Sequence, residues 1–296
     1  MLKTGTCSWK YDSWTGLVYS PGVKNYLTEY SRKYPTVEID QWFWSLHGPE
    51  SVSLPREKDV VGYTESVPDD FRFTIKIPNS ITLTHFYSRG KAPLVENPHF
   101  LSPELMESFL KTLDPMKGKL GPLMFQFEYL NKQKMPSQAE FQERFGAFIE
   151  TIPSGYEYAV EIRNPNYLNK SFFEFLAKQK LIPVLIHGYY MPPVYETLAK
   201  PFTHSFKKMV IRLHGPDREG IEELTGKKWN QIVLPKNDDL QKVVNAIRIL
   251  LSRETEIYLN VNNHYEGSAP LTIDRINELM GEEMNLLPPN ESRKDV

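Results

Sequence analysis

Charged and hydrogen-bonding side chains recur at the ends of the apolar segments of this sequence. In the segment 210–215, Val-Ile-Arg-Leu-His-Gly, Arg212 and His214 share one face by the two-residue period of a strand. A charge on a buried strand is costly unless it is paired or serves a site. Since both cations come just before a Gly-Pro turn, we predict that they line a functional site. The other polar residues that come late in an apolar segment are Glu38, Asp40, Lys76, Gln126, Glu161, Arg163, His187, Asn260 and Asn262.

The cations in this set predict an anion-binding site. Lys76, Arg163 and Arg212 could together bind a phosphate or carboxylate group, because both anions are common partners of lysine and arginine. The carboxylates of the set are equally numerous: Glu38, Asp40 and Glu161. Structural ion pairs, such as Glu161–Arg212, are therefore the alternative interpretation. A second pair of this kind would be Glu38–Lys76.

Two further chemistries fit the same residue types. Glu38 and Glu161 could act as general acid and base, as in two-carboxylate glycoside hydrolysis, but any barrel with two interior glutamates has this pattern. His187, His214 and His264 with a carboxylate could hold a divalent metal, although no HxH or HExxH spacing supports it. We therefore predict no metal site, and no motif requires a cofactor.

The cysteine and the tryptophans of the first segments have two interpretations each. Cys7 is the only cysteine, which excludes an intrachain disulfide, and its place in an apolar segment favours a buried apolar side chain over a nucleophile. An aromatic cluster either packs under the loops or forms a stacking surface for a sugar or a base. Its members are Trp9, Trp14, Trp42, Phe43 and Trp44.

Composition gives no support to several classes of partner, although nucleic acid remains possible. The 296 residues are 40% hydrophobic and 24% charged, and the formal net charge of -2 gives no general attraction to nucleic acid or to anionic membranes. No window approaches the roughly 20 apolar residues of a membrane helix. Together with the absence of an apolar leader, these features predict a cytoplasmic protein whose partner is a small ligand. They give no prediction of oligomeric state.

Strand and helix patterns alternate along the chain. Eight strand-like segments begin near residues 3, 36, 71, 123, 158, 183, 208 and 256, mostly with helical patterns between them. This alternation predicts an α/β fold, a (β/α)₈ barrel with its site on the loops after the strands. The rival, a doubly wound sheet, would need a Gly-rich turn after the first strand.

Less regular segments and the chain end complete this prediction. We expect a weak helix over 50–60 and long connections over 78–100 and 216–235. One barrel domain is predicted over 1–287, followed by a polar tail over 288–296.

Seven motifs together resemble the YecE-like family, domain of unknown function 72. They lie at 5–9 (Gly-Thr-Cys-Ser-Trp), 36–40 (Thr-Val-Glu-Ile-Asp), 71–76 (Phe-Arg-Phe-Thr-Ile-Lys), 121–127 (Gly-Pro-Leu-Met-Phe-Gln-Phe), 160–165 (Val-Glu-Ile-Arg-Asn-Pro), 212–215 (Arg-Leu-His-Gly) and 262–267 (Asn-Asn-His-Tyr-Glu-Gly). The resemblance implies a (β/α)₈ barrel, or a variant or incomplete one, and no established activity. It marks a shared pocket of Glu38, Lys76, Gln126, Glu161, Arg163, Arg212, Asn263 and His264. Three stretches depart from the family pattern: residues 40–44 (Asp-Gln-Trp-Phe-Trp) after the second strand, residues 80–85, where His85 comes two residues later than in the family's Ser-Ile-Thr-His, and His187, where the family often has Asp.

These observations lead to one functional hypothesis and one alternative. The hypothesis is an enzyme that acts by acid/base chemistry on a small anionic or polyhydroxylated substrate. Its catalytic residues would be Glu161, Glu38 and His264. Its substrate-binding residues would be Lys76, Gln126, Arg163, Arg212, His214 and Asn263. The alternative is a non-catalytic module that binds a phosphorylated metabolite or a nucleic-acid end, and a carboxylate with a perturbed pKa and no full salt bridge would favour the enzyme.

Overall fold

The eight predicted strands form a closed parallel barrel in the computed structural model, which describes residues 1–87 and 93–282. The strands follow each other around the barrel in chain order, and the first pairs with the last, Leu2 beside Ile257. Their bounds are β1 Leu2–Thr6, β2 Thr36–Ile39, β3 Arg72–Lys76, β4 Leu120–Phe127, β5 Tyr158–Ile162, β6 Ile182–Gly188, β7 Lys208–Gly215 and β8 Glu256–Val261. The prediction of a (β/α)₈ barrel is therefore confirmed, and the barrel is complete.

Helices connect the strands on the outside. They are α1 Tyr26–Lys33, α2 Glu57–Glu65, α3 Asn79–Thr82, α4 Pro103–Thr112, α5 Gln138–Thr151, α6 Lys170–Lys178, α7 Val194–Leu198, α8 Arg218–Thr225, α9 Asn237–Ser252 and α10 Ala269–Glu282. Local sequence signals determine where several of these helices begin. At α4, the Ser102 hydroxyl accepts a hydrogen bond from the Leu105 amide at 3.1 Å, and proline occupies the first helical position. Within residues 1–87 and 93–282, no helix combines the length and apolarity that crossing a bilayer requires.

The structure corrects two details of the sequence interpretation. In place of a weak helix over 50–60, a short antiparallel hairpin (Leu46–Gly48 with Ser51–Val52) precedes α2, which begins two residues after Pro55. The 216–235 connection contains α8, which Asp217 caps and Gly226 ends in the left-handed region. The sequence pattern missed α8 because this short helix carries few apolar residues. The tail at 288–296 and residues 88–92 of the other long connection lie outside the described residues.

The barrel interior changes from apolar to polar along its axis. Its amino-terminal half holds an apolar cluster of Met124, Ala159, Val184, Val210 and Tyr258, which Ile182 completes. On β4, β5, β7 and β8 the next residues on the same face are polar. Arg212 lies beside Asn260 in the sheet, and Gln126 lies beside Glu161. A larger apolar layer fills the space between the strands and the helices. The floor of the barrel is thus closed, and its polar groups are presented at the carboxyl ends of the strands.

Candidate functional site

Arg212 forms the centre of the polar layer. Its side chain is 2% exposed, and its Nε and Nη2 donate to the two oxygens of Glu38 at 2.8 and 2.7 Å. Its Nη1 donates to Glu161 and, at 3.3 Å, to the side-chain oxygen of Gln126. The fork of a guanidinium matches a carboxylate in this bidentate geometry, which lysine could not reproduce. Of the two ion pairs predicted, Glu161–Arg212 is present, whereas Glu38 pairs with Arg212 and not with Lys76.

Arg163 satisfies the second oxygen of Glu161. Its Nε donates to Glu161 at 2.9 Å and its Nη2 to Gln126 at 3.1 Å. Burial alone would raise the pKa of Glu161, but the Arg212 and Arg163 guanidiniums outweigh it and hold the pKa at about 2. Glu161 is therefore ionised at neutral pH, and both of its oxygens are occupied. This state suits a group that positions cations better than one that exchanges protons.

Asn260 and Thr74 complete the environment of Glu38. The amide of Asn260 donates to Glu38 at 3.1 Å and to the Thr74 hydroxyl at 3.0 Å. The amide oxygen of Asn260 is buried and has no hydrogen-bond partner among the described residues. The carboxylate of Glu38 thus accepts three hydrogen bonds, and the residue is fully buried. The carboxylates of both interior glutamates, Glu38 and Glu161, are thus already occupied by hydrogen bonds at the floor of the site.

Lys76 differs from Arg163 and Arg212 because no carboxylate of the described residues forms an ion pair with its ammonium. It is 8% exposed, and its Nζ lies 4.0 Å from the ring centroid of Phe43. Within the part of the chain that the structure describes, no hydrogen bond or ion pair reaches this ammonium. Burial, followed by repulsion from Arg212, lowers the pKa of Lys76 to about 8. Glu38, Asp40 and Glu161 oppose this decrease from a distance without forming an ion pair. A buried cation with no ion pair among the described residues is therefore available at the end of β3.

Asp40 is the corresponding carboxylate. It follows β2 in the same phase as Glu38, and no ion pair reaches it within the described ranges. Burial and then the Glu38 charge raise the pKa of Asp40 to about 6, against the opposing effect of Lys76 and Arg212. Asp40 was not among the residues predicted to be catalytic. Its phase with Glu38 was the sequence signal for it, but that signal could not show which carboxylate remains unpaired.

Uncharged side chains line another part of the site. The Sγ of Cys7 lies 3.5 Å from the Nε2 of His214, and the Tyr189 hydroxyl lies 3.4 Å from its Nδ1. Burial, reinforced by Arg212, lowers the pKa of His214 well below its ordinary value, while burial raises the pKa of the Cys7 thiol. Both side chains are uncharged at neutral pH. This state supports the interpretation of Cys7 as a buried, unreactive side chain.

Asn263 and His264 lie at the end of β8 but are bound to surrounding loops. The side-chain oxygen of Asn263 accepts from the Ala269 amide at 2.9 Å, at the start of α10. His264 contacts Glu222 of α8 at 3.2 Å, and its ring packs edge-on against Trp229 at 5.0 Å. These contacts bring the 216–235 connection to the carboxyl ends of the strands, where His264 forms the edge of the site.

His187 lies outside the central group, contrary to the prediction that it joins the other polar strand ends. It stands beside Leu213 in the sheet, on the face opposite Arg212, and its Nε2 lies 3.0 Å from Asp239 of α9. There it lines a cavity of about 620 Å³ with Tyr265 and Tyr189. The interior face of β6 is apolar, so the alternation of the strand turns His187 outward. Across residues 1–87 and 93–282, no three His, Cys, Asp or Glu side chains converge as metal ligands.

Comparisons with known proteins agree with this architecture. A family profile described as "Protein of unknown function DUF72" matches residues 3–295. The UPF0759 protein YecE from two strains of Escherichia coli is 25% identical over 171 residues, which are 57% of this chain and 51% of that protein. The match thus spans about half the length of these relatives.

Two solved structures share the fold. A DUF72 family protein from Thermotoga maritima superimposes with a TM-score of 0.67 at 22% identity, over 95% of this chain and 99% of the other. One from Enterococcus faecalis gives a TM-score of 0.65 at 19% identity, over 100% of both chains. Since the family profile covers nearly the whole sequence, the chain belongs to the YecE-like family of proteins of unknown function, DUF72.

Proposed function

We propose that the carboxyl ends of the barrel strands bind a small anionic substrate and exchange a proton with it. One observation carries the proposal: Lys76 presents a buried ammonium that no hydrogen bond or ion pair reaches within the described residues, within electrostatic range of the Asp40 carboxylate, which also forms no ion pair there. A buried charge without a partner is unfavourable unless a ligand supplies the partner. A phosphate or carboxylate group on the substrate would do so.

The two unpaired groups have pKa values suited to proton exchange near neutral pH. Asp40, with a pKa of about 6, is mostly ionised at pH 7, and Lys76, with a pKa of about 8, is mostly protonated. General acids and bases work best when their pKa lies near the operating pH. We assign Asp40 as the general base and Lys76 as the cation that holds the anion. Lys76 could also return the proton.

The residues predicted from the sequence take supporting roles in this proposal. Glu38 and Glu161 position the arginines, because their oxygens are already occupied. Gln126 faces the substrate from β4. Arg163, whose side chain is 22% exposed, faces it from the end of β5. His214, Asn263 and His264 border it, and His264 is the second candidate for proton transfer.

A non-catalytic module that binds a phosphorylated metabolite or a nucleic-acid end is the alternative. Its support is the complete pairing of Glu38 and Glu161, which removes two of the three carboxylates from acid/base chemistry. Asp40 separates the two hypotheses. If Asp40→Asn leaves turnover of a bound substrate unchanged, the site has no need of this base and the binding module is favoured.

The anion site can be tested with inorganic phosphate. We expect phosphate to raise the melting temperature of the wild type, because ligand that binds only the folded state stabilises it. The rise should disappear in Lys76→Met. A matched control is Lys208→Met, which removes a lysine that pairs with Glu157 and Glu256 at the opposite end of the barrel. An equal phosphate-dependent rise in all three proteins, or none in the wild type, would contradict the proposal.

A further inference from the structure

The exposed aromatic side chains of this protein are concentrated at one place. Within residues 1–87 and 93–282, four aromatic side chains are largely exposed: Trp44 at 61%, Tyr87 at 58%, Tyr129 at 50% and Tyr190 at 60%. Each follows the carboxyl end of a barrel strand, namely β2, β3, β4 and β6. Large aromatic rings are normally at least partly buried, so a group of exposed rings at one end of a barrel indicates a binding surface.

The four rings form two pairs. The ring centroids of Trp44 and Tyr87 are 6.1 Å apart, and those of Tyr129 and Tyr190 are also 6.1 Å apart, with perpendicular planes. Within each pair the rings come from connections after different strands. Such contacts restrict the rings while leaving much of their surface open to solvent. We call these residues the aromatic rim.

The aromatic rim adjoins the cations of the site. Trp44 packs edge-on against Phe43 at 5.2 Å, and the same Phe43 ring lies 4.0 Å from the Lys76 ammonium. Tyr190 follows Tyr189, whose ring lies 4.8 Å from the Arg163 guanidinium. Each pair is therefore connected through one aromatic neighbour to a cation of the proposed site, one pair to Lys76 and the other to Arg163.

The same two charged residues act on one tyrosine of each pair. Partial desolvation raises the pKa of Tyr87, the Glu128 carboxylate adds to the increase, and Arg163 opposes it. The pKa of Tyr190 is raised by desolvation first and then responds to the same two charges. Both hydroxyls therefore lie within the influence of Arg163 and Glu128, although they belong to different pairs.

We propose that the substrate is a small anion that carries a ring, with the anionic group at Lys76 and the ring against the aromatic rim. A phosphorylated sugar and a nucleoside monophosphate share this chemistry, because both present a ring face for stacking and a phosphate for the cations. The inference rests on the anion site proposed above and adds the chemical class of the ligand. The net charge of -2 and the Glu128 carboxylate near the rim disfavour a polyanionic nucleic acid.

Titration calorimetry on the full chain tests this inference with four probes. They are glycerol 3-phosphate, glucose 6-phosphate, uridine monophosphate and a ten-nucleotide thymidine oligomer. We expect one or both ring-bearing monophosphates to bind at least about tenfold more tightly than glycerol 3-phosphate, the order of magnitude of one ring stacked on an aromatic side chain. Comparison of glucose 6-phosphate with uridine monophosphate shows whether the ring is a sugar or a base.

Variants of the aromatic rim separate stacking from other effects. Trp44→Ala and Tyr190→Ala should each weaken binding of the tighter ring-bearing probe by about tenfold and leave glycerol 3-phosphate unaffected. Trp44→Phe and Tyr190→Phe, which keep a ring, should retain most of the affinity. Ile249→Ala removes an exposed apolar side chain from α9 and is the control.

The outcomes distinguish this inference from the proposed function. If no phosphate compound binds, the anion site itself is wrong. If glycerol 3-phosphate binds and the ring-bearing probes bind no more tightly, the anion site stands and the ring-binding inference is overturned. An oligomer that binds far more tightly than uridine monophosphate would also overturn it, in favour of single-stranded nucleic acid.

Discussion

Replacement of Arg212 by methionine should strongly destabilise the protein. The change removes a bidentate partner from Glu38, which is 0% exposed and would keep only the hydrogen bond from Asn260. Glu161 would still pair with Arg163, so we count one broken buried pair and not two. Removal of one partner of a buried pair costs about 3–5 kcal/mol. For a chain of this size, this corresponds to a melting temperature lower by roughly 6–10 °C.

The loss should depend on pH in a defined direction. In the wild type the pKa of Glu161 is lowered from 4.5 to about 2, so its contribution to stability is present above pH 4.5 and is lost towards pH 2. Removal of Arg212 takes away the first of the two cations that lower this pKa, so the variant lacks part of that contribution. The difference in unfolding free energy between the two proteins should therefore be smaller at pH 3 than at pH 8.

Urea denaturation followed by circular dichroism at both pH values measures this difference. Two further variants act as controls: Arg163→Met removes a cation that is partly exposed, and Arg212→Met with Glu38→Gln removes the stranded charge. We expect a smaller loss in the first and a partial recovery in the second. A loss below about 1 kcal/mol at pH 8, without pH dependence, would refute the structural role of Arg212, since a broken buried pair costs several times more. Arg212 would then be a ligand-binding cation.

Three further predictions concern Lys76, Asp40 and Cys7. Because the pKa of Lys76 is lowered from 10.5 to about 8, the unfolded chain binds more protons in that window and wild-type stability should rise with pH there. Lys76→Met should abolish this rise and stabilise the ligand-free protein at pH 7 by up to about 3 kcal/mol, measured by urea denaturation; a destabilised variant would show that a protein anion pairs with Lys76. Because the pKa of Asp40 is raised from 3.8 to about 6, the folded state binds more protons in that window, and this group makes stability fall as pH rises through it. Asp40→Asn should remove that decrease in pH-dependent denaturation, and an Asp40 carboxyl that titrates near 4 by carbon NMR would disprove the shift. Since burial raises the pKa of Cys7, alkylation by iodoacetamide should be negligible in the native protein and rapid in urea, and mass spectrometry of the native protein would reveal any contrary labelling.

The strands of the barrel could be predicted from the sequence because each carries a local signal. The alternation around Arg212 gives both the strand and the face that points inward, and it is a property of a few consecutive residues. Local signals failed where the pattern was short, as in α8. They also failed for His187, where the polar side chain was assigned to the interior although the strand alternation directs it to α9.

The choice of partners within the site could not be predicted from the sequence. The Glu38–Arg212 pair joins residues 174 positions apart, and nothing in the neighbourhood of either residue selects it over Glu38–Lys76. Which carboxylate and which cation remain unpaired depends on this three-dimensional choice, so Asp40, although predicted to line the site, became a candidate for acid/base chemistry only in the structure. The exposure of Trp44 is likewise a property of the assembled loops.

The ion-pair network around Arg212 has a consequence for how the chain reaches its folded state. It connects β2, β4, β5, β7 and β8, so it crosses the barrel and joins the first third of the chain to the last. A fragment that ends before β7 would contain Glu38 without its guanidinium partner, and Glu161 with Arg163 but without the second guanidinium. In partly folded half-barrels these carboxylates would therefore have to stay hydrated. The half-barrels would remain open for that reason. Closure of the cylinder and formation of the network should occur in one late, cooperative step, and it should be slow because the contacts are so distant in sequence.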